Sequence, residues 1–152
     1  MSIALADLLP EAQAAATKAL ADLKVRGVPY VVTYTLRTKA EQVALYAQGR
    51  EELAAVNAKR QAAGLSDIGP SENTYVVTQC DGVPIVQGGK GRSPHQLGTA
   101  IDVVPMDGGG PSWPEAHDPR WAQIAQSFKA AGFDWGGDWT DFPDLPHYQL
   151  PA

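Results

Sequence analysis

The stretch SPHQLGTAID, residues 93–102, joins a histidine to a segment with the alternation of a buried β-strand. From Thr99 to Val104 successive side chains point to opposite faces, and Asp102 shares its face with Ala100 and Val104. A carboxylate in the middle of an apolar strand needs a partner, which can be a basic side chain or a metal ion. The stretch therefore predicts a sheet strand whose acid is paired with another part of the chain.

A second stretch, DLPHYQ at residues 144–149, supplies His147 within a short segment that we expect to be an edge or central strand. With His95 and Asp102 it provides two imidazoles and one carboxylate. A catalytic zinc ion is typically held by three such protein ligands and keeps a further position open, whereas structural sites close with four ligands, usually rich in cysteine. The chain has a single cysteine. The pattern therefore predicts one zinc ion bound by His95, Asp102 and His147.

Asp144 lies three residues before His147 and is not needed as a ligand. A carboxylate there could take a proton from water activated by the metal, which is the chemistry of a metal-dependent hydrolase. Asp138 and Asp141 compete for this role, and only the spacing favours Asp144. His117 lies in a polar loop outside both stretches, and we do not expect it to bind metal.

The two stretches together resemble the zinc D,D-peptidases and the phage L-alanyl-D-glutamate endopeptidases, which cut the stem peptides of peptidoglycan. The pattern of that family is S-x-H-x-x-G-x-A-x-D followed by [ED]-x-x-H, and an arginine element lies upstream. The resemblance covers roughly residues 28–150. It rests on Ser93, His95, Gly98, Ala100 and Asp102 in the first motif, Asp144 and His147 in the second, and Arg37-Thr38 with Gln42 upstream.

The resemblance implies a small α+β fold of the Hedgehog and D-Ala-D-Ala-peptidase type, with helices packed on a mainly antiparallel sheet that bears the zinc site. It also implies that Arg37 holds negative charge, either a substrate carboxylate or the developing oxyanion, because a guanidinium suits both. Ser93 and Gln42 are the candidate substrate-binding residues. Leu36 replaces the aromatic residue that usually precedes the arginine. Asp144 replaces the glutamate of the D,D-dipeptidases, which favours the endopeptidase branch.

Three other functions stay open at this point. A D-Ala-D-Ala carboxypeptidase or dipeptidase would use the same ligands, and a metal-dependent hydrolase of a non-peptide amide or ester is also compatible with them. A non-catalytic zinc-containing binding module on the same scaffold is the third alternative. Retention of both Asp144 and Arg37 argues against the binding module.

We expect one peptidase domain over residues 1–152, without a separate wall-binding module. The strongest local signals are the Thr38 and Glu41 capping box and an N-cap at Asp118, both typical of helix starts. The expected helices are Glu11–Arg26, one that follows Thr38, 55–62, and one that runs from Asp118 toward Gly132; the expected strands are Pro29–Tyr34, Tyr75–Cys80, Thr99–Val104 and His147–Leu150, with an Asp81-Gly82 turn.

The charge balance of 12 basic against 17 acidic side chains gives a net charge of −5 without a basic cluster. We therefore expect neither nucleic acid nor an anionic membrane as a partner, and we expect a monomer that acts on peptidoglycan stem peptides. Cys80 is predicted to be a buried, inert thiol. The N-terminus lacks the basic start of a signal peptide. The resemblance then implies a phage or prophage enzyme that is made in the cytoplasm and reaches the wall after release.

Overall fold

The computed structural model describes residues 1–77, 80 and 93–151. In chain order the regular elements are α1 (Pro10–Val25), β1 (Tyr30–Tyr34), α2 (Lys39–Ala47), α3 (Leu53–Ala62), α4 (Pro94–Leu97), β2 (Ala100–Asp107), β3 (Gly110–Pro111), α5 (Pro119–Ala130), β4 (Asp134–Trp135) and β5 (His147–Gln149). These elements confirm the predicted α+β class.

The chain divides into two compact units. One consists of Met1 with Arg37–Leu97, and the other of Ser2–Leu36 with Gly98–Ala152. A single domain over the whole chain therefore stays a prediction. Within the described residues, none of the helices combines the length and apolar composition that a bilayer crossing requires.

The second unit contains an antiparallel sheet with the strand order β1-β2-β5-β4. The short strand β3 pairs with the C-terminal end of β2. Strand β5 is therefore an inner strand, because it pairs with β2 on one side and β4 on the other. Ile101 and Val103 point to the face covered by α1 and α5 and are fully buried there. Because side chains alternate along a strand, Asp102 points to the opposite face.

The helices of the second unit follow the sequence prediction closely. Helix α1 ends next to Gly27, whose φ of +71° is the left-handed conformation that terminates helices. The predicted apolar stripe of α5 is buried, and Phe128 stacks on Tyr148 of β5 with ring centroids 4.2 Å apart. Stacked rings of this kind add to the hydrophobic energy of the core. The core thus fixes β5 against the helices through Tyr148.

The first unit contains α2 and α3. Thr38 and Glu41 form the predicted capping box at the start of α2, with both hydrogen bonds at 3.2 Å. The strand predicted for Tyr75–Cys80 is not present over residues 75–77, which have no regular secondary structure. The segment is held instead by a residue distant in sequence, because Arg50 packs its guanidinium against the Tyr75 ring and donates a hydrogen bond to the Val77 carbonyl at 3.2 Å. Residues 78–79 of that strand and the Asp81-Gly82 turn lie outside the described residues. Cys80 is buried, as expected.

Helix α5 begins at a charged N-cap residue, Asp118, whose protonation should affect the stability of the fold at low pH. Asp118 accepts hydrogen bonds from the backbone and the side chain of Arg120 at 2.9–3.0 Å. The side-chain hydrogen bond from Arg120 holds the pKa of Asp118 at about 2, below its ordinary value of 3.8. A carboxylate with a lowered pKa in the folded state stabilises the fold above its unfolded pKa. That stabilisation is lost as the pH falls through the folded value.

We therefore predict that Asp118→Asn, which keeps a capping side chain, flattens the loss of stability in acid. The Tm of the wild type should fall further than that of the variant between about pH 4.5 and pH 2.5. Arg120→Gln should reproduce the flattening, because it removes the partner of Asp118. Parallel Tm curves for the wild type and both variants would contradict this account.

Candidate metal centre

The pairing of β2 with β5 places Asp102 directly opposite His147. Oδ1 of Asp102 lies 3.3 Å from Nδ1 of His147, and both side chains are buried. Strand β1 supports the same position from the other side, where the Thr33 hydroxyl donates to the Asp102 carbonyl at 3.4 Å. The acid and the histidine are thus held by backbone ladders and not by flexible loops.

His95 is presented by the short helix α4 and is only 2% exposed. The hydroxyl of Ser93 accepts a hydrogen bond from the backbone N–H of His95 at 3.3 Å, and the Gln96 side chain accepts one from the Ser93 N–H at 3.2 Å. These two bonds cap the turn that carries the histidine. A substrate contact of Ser93 stays a prediction.

The structure brings the three predicted ligands together. His95, Asp102 and His147 each offer a donor atom, and these atoms lie within 4.8 Å of one another. Two imidazoles and one carboxylate are ligands that zinc accepts, and three protein donors leave a position for water or substrate. The residues present therefore fit a single zinc ion of the catalytic type.

The electrostatics of His147 fit a ligand in contact with a carboxylate. Burial by itself lowers the pKa of the imidazole. The hydrogen bond and charge of Asp102, with smaller contributions from Gln149 and Asp144, outweigh burial and raise the pKa above its ordinary value of 6.5. A raised pKa means that protons compete more strongly with a cation for this ring, so metal binding should depend on pH.

Asp144 is exposed and sits in the loop that leads into β5. Its backbone N–H donates to the Gly136 carbonyl at 2.9 Å, and its carbonyl accepts from the His147 N–H at 3.2 Å. A β-carbon on Gly136 would overlap the backbone oxygen of Asp144, so glycine is required for this close approach. The charge of Asp144 also contributes to the raised pKa of His147, which indicates that the carboxylate lies near the ring.

The competing acids are placed differently. Asp138 forms a salt bridge of 2.6 Å with Lys129. Asp141 is exposed and makes no contact in the described part of the chain that would direct it to a histidine. His117 lies 3.3 Å from Glu115 on the surface, with both side chains more than 80% exposed. Asp144 differs from both acids in its backbone contact with His147 and in the effect of its charge on that ring, and its role as the base stays a prediction.

Arg37 is buried and held from two directions. Its backbone N–H donates to the His95 carbonyl at 3.1 Å, and its Nη1 lies 3.4 Å from Oε1 of Gln42. Gln42 is 1% exposed. The structure therefore shows Gln42 orienting Arg37, and a direct contact of Gln42 with substrate stays a prediction.

Two neighbours of His147 were not assigned a role from the sequence. Oε1 of Gln149 lies 2.8 Å from Nε2 of His147. The Trp139 ring lies 5.3 Å from the imidazole, centroid to centroid. The alternation of β5 carried a signal for Gln149, because residues two apart on a strand share a face. Trp139 had no such signal, since it belongs to a loop.

The donor group consists of residue types that zinc hydrolases use as ligands. Residues 87–150 match the family model described as D-alanyl-D-alanine carboxypeptidase, of the M15 peptidases. This match covers less than half of the chain, and it confirms the resemblance inferred from the two sequence motifs.

Two relatives of known name are both L-alanyl-D-glutamate peptidases. The chain is 28% identical over 132 residues to the peptidoglycan L-alanyl-D-glutamate endopeptidase CwlK of Bacillus subtilis (strain 168), a match that covers 82% of this chain. It is 37% identical over 59 residues, 39% of this chain, to the L-alanyl-D-glutamate peptidase of Listeria phage A118. The matches span 62% of the first relative and 21% of the second.

Solved structures show the same fold. The L-Ala D-Glu endopeptidase ChiX of Serratia marcescens matches 97% of this chain and 83% of its own, with 27% identity and a TM-score of 0.55. The zinc complex of the vancomycin-resistance D,D-pentapeptidase VanY, as an E175A mutant, matches 95% of this chain and 73% of its own. Its TM-score is 0.58 at 17% identity, so this likeness concerns the fold alone.

We predict that the purified chain retains about one zinc ion and that His95→Ala, Asp102→Ala and His147→Ala each abolish retention, because two remaining donors hold zinc weakly. His117→Ala is the matched control and should keep the metal. Elemental analysis after desalting measures the zinc content, and a chelator should lower the Tm of the wild type and of His117→Ala but not that of the three ligand variants. Full zinc content in Asp102→Ala would remove that residue from the ligand set.

Proposed function

We propose that the chain is a zinc-dependent peptidoglycan hydrolase that cleaves the stem peptide between L-Ala and D-Glu. The observation that carries the proposal is the convergence of His95, Asp102 and His147, whose donor atoms lie within 4.8 Å of one another. These three residues hold the ion. When bound, zinc supplies Lewis acidity toward a peptide carbonyl and toward water.

Asp144 acts as the general base. Its carboxylate accepts a proton from the attacking water and returns it to the amine of the leaving fragment. This proton transfer requires an acid that solvent and substrate can reach, and Asp144 is exposed. The backbone bonds to Gly136 and His147 fix the loop that carries it. These backbone bonds and the effect of the Asp144 charge on His147 support a position of the carboxylate near the metal centre.

Arg37 binds negative charge on the substrate. Arg37 is 8% exposed, and Gln42 accepts a hydrogen bond from one of its guanidinium nitrogens. A preoriented guanidinium loses little entropy when it pairs with a carboxylate. The α-carboxyl of D-Glu and the developing oxyanion are both partners of the right charge, and Ser93 is proposed to contact the peptide backbone nearby.

The choice of bond is supported by the named activities of the two curated relatives and of ChiX, all of which are L-Ala–D-Glu peptidases. Asp144 in the base position also favours this branch. A D,D-carboxypeptidase is the second candidate, because the matching family model carries that description. The phage relative supports an endolysin-type enzyme that is phage- or prophage-encoded and meets the wall after release from the cytoplasm.

We predict that Asp144→Asn keeps its zinc and its fold but loses rate by a factor of about 10² to 10⁴, the usual contribution of a positioned base. Asp138→Asn and Asp141→Asn are the matched controls and should turn over at nearly the rate of the wild type. Initial rates on purified peptidoglycan, together with zinc content, provide the measurement. A normal rate in Asp144→Asn, with the loss in one of the controls, would move the base to that residue.

Digestion of intact cell wall and of a D-Ala-terminated pentapeptide separates the candidate functions. We expect new N-terminal glutamate and falling turbidity, because an endopeptidase cuts within the cross-linked network. Free D-alanine without loss of turbidity would identify a carboxypeptidase instead. Wall binding without any released fragment would identify a binding module. Asp144→Asn serves as the control for contaminating hydrolases.

A further inference from the structure

The imidazole of His147 faces an oxygen at each of its nitrogens. Nδ1 lies 3.3 Å from Oδ1 of Asp102, and Nε2 lies 2.8 Å from Oε1 of Gln149. The ring is nearly inaccessible to solvent, since His147 is 5% exposed. Water therefore cannot easily replace Asp102 or Gln149 as a partner of the ring. These two side chains determine which ring nitrogen carries the hydrogen.

The distance to Asp102 identifies the nitrogen that faces the metal. Two donors at about 2.0–2.2 Å from a tetrahedral zinc lie roughly 3.3–3.5 Å apart. The separation of Nδ1 and Oδ1, 3.3 Å, matches this edge of the coordination tetrahedron. Nδ1 is then the ligand atom, and Nε2 keeps the hydrogen of the neutral imidazole. At 2.8 Å, the Gln149 oxygen is placed to accept that hydrogen.

The sheet delivers the Gln149 amide to this position. His147 and Gln149 are two apart on β5, so their side chains share a face. The backbone of Gln149 is paired on both sides, opposite Ala100 of β2 and Asp134 of β4. Ala100, the neighbour of Gln149 on β2, is fully buried and has only a methyl side chain. It therefore offers no polar group that could replace the Gln149 amide as a hydrogen-bond partner of the imidazole.

We propose that Gln149 is a positioning residue for the metal centre: its side-chain oxygen accepts the Nε2 hydrogen of His147 and so fixes the tautomer that presents Nδ1 to zinc. The inference rests on the proposed zinc site. Trp139 cannot replace this function, because a ring contact restrains the imidazole without accepting its hydrogen. Partners of this kind typically contribute about 10- to 100-fold in metal affinity.

Two substitutions separate hydrogen bonding from packing. Gln149→Met keeps the length of the side chain but removes the acceptor, whereas Gln149→Glu keeps an acceptor at the same reach. The zinc dissociation constant, measured by competition with a chromogenic chelator, should rise about 10- to 100-fold in Gln149→Met and stay close to the wild-type value in Gln149→Glu. Gln126→Met on α5 is the control for the same chemical change and should leave it unaltered.

Nitrogen NMR of the zinc-loaded, histidine-labelled protein gives a second readout that loss of packing would not produce. The wild type and Gln149→Glu should show a protonated Nε2 on His147, and Gln149→Met should show faster exchange of that hydrogen with solvent. Wild-type zinc affinity and unchanged exchange in a folded Gln149→Met would overturn the role of Gln149 and leave the peptidase intact. Failure of the wild-type chain to bind zinc would overturn the zinc site itself and this inference with it.

Discussion

The antiparallel pairing of β2 with β5 is the constraint on which the rest of the candidate site depends. It sets Asp102 opposite His147, and β1 and β4 hold these two strands from outside. Because side chains alternate along a strand, a slip of one residue in β2 would turn Asp102 into the apolar core and Ile101 out of it. Burial of Ile101 against the helices therefore fixes the register, and the register fixes the ligands. The packing of the hydrophobic core and the positions of two candidate ligands are both consequences of one alignment.

His95 depends on a different kind of interaction. It stands on a single helical turn, which has little stability of its own, so its position relies on the hydrogen bonds of Ser93 and on the contact of its carbonyl with the Arg37 backbone. Gly98, with a φ of +73°, then turns the chain from that helix into β2. A side chain at this position would be strained and would also crowd the backbone of Leu9. Two of the candidate ligands, Asp102 and His147, are therefore held by strand pairing, whereas His95 is held by hydrogen bonds at the start of its own short helix.

Much of this arrangement could be predicted from the sequence, because the signals were local. The capping box at Thr38, the N-cap at Asp118 and the alternation around Asp102 each depend on neighbouring residues and are present in the structure. The candidate site could be predicted as far as its motif residues, since their types and order carry the chemistry. The structure brings His95, Asp102 and His147 together, and their role as ligands stays a prediction.

What could not be predicted depends on contacts between distant segments. The salt bridge that occupies Asp138 comes from Lys129 on α5, and no spacing rule links these two residues. The missing strand at Tyr75 has the same origin, since Arg50, in the turn between α2 and α3, contacts that segment. Gln149 had the right alternation, but its contact with Nε2 of His147 requires the ring orientation that Asp102 imposes.

The position of β5 at the centre of the sheet also has a consequence for folding. Pairing of β2 with β5 closes a long loop, and contacts of high sequence separation tend to form late because loop closure costs entropy. Until this pairing forms, the chain has no complete set of donors to offer. A polypeptide with β5 unpaired or misaligned would lack the alignment of Asp102 with His147, so it could not present the three candidate ligands together. The candidate site would therefore exist only in copies of the chain whose sheet is complete.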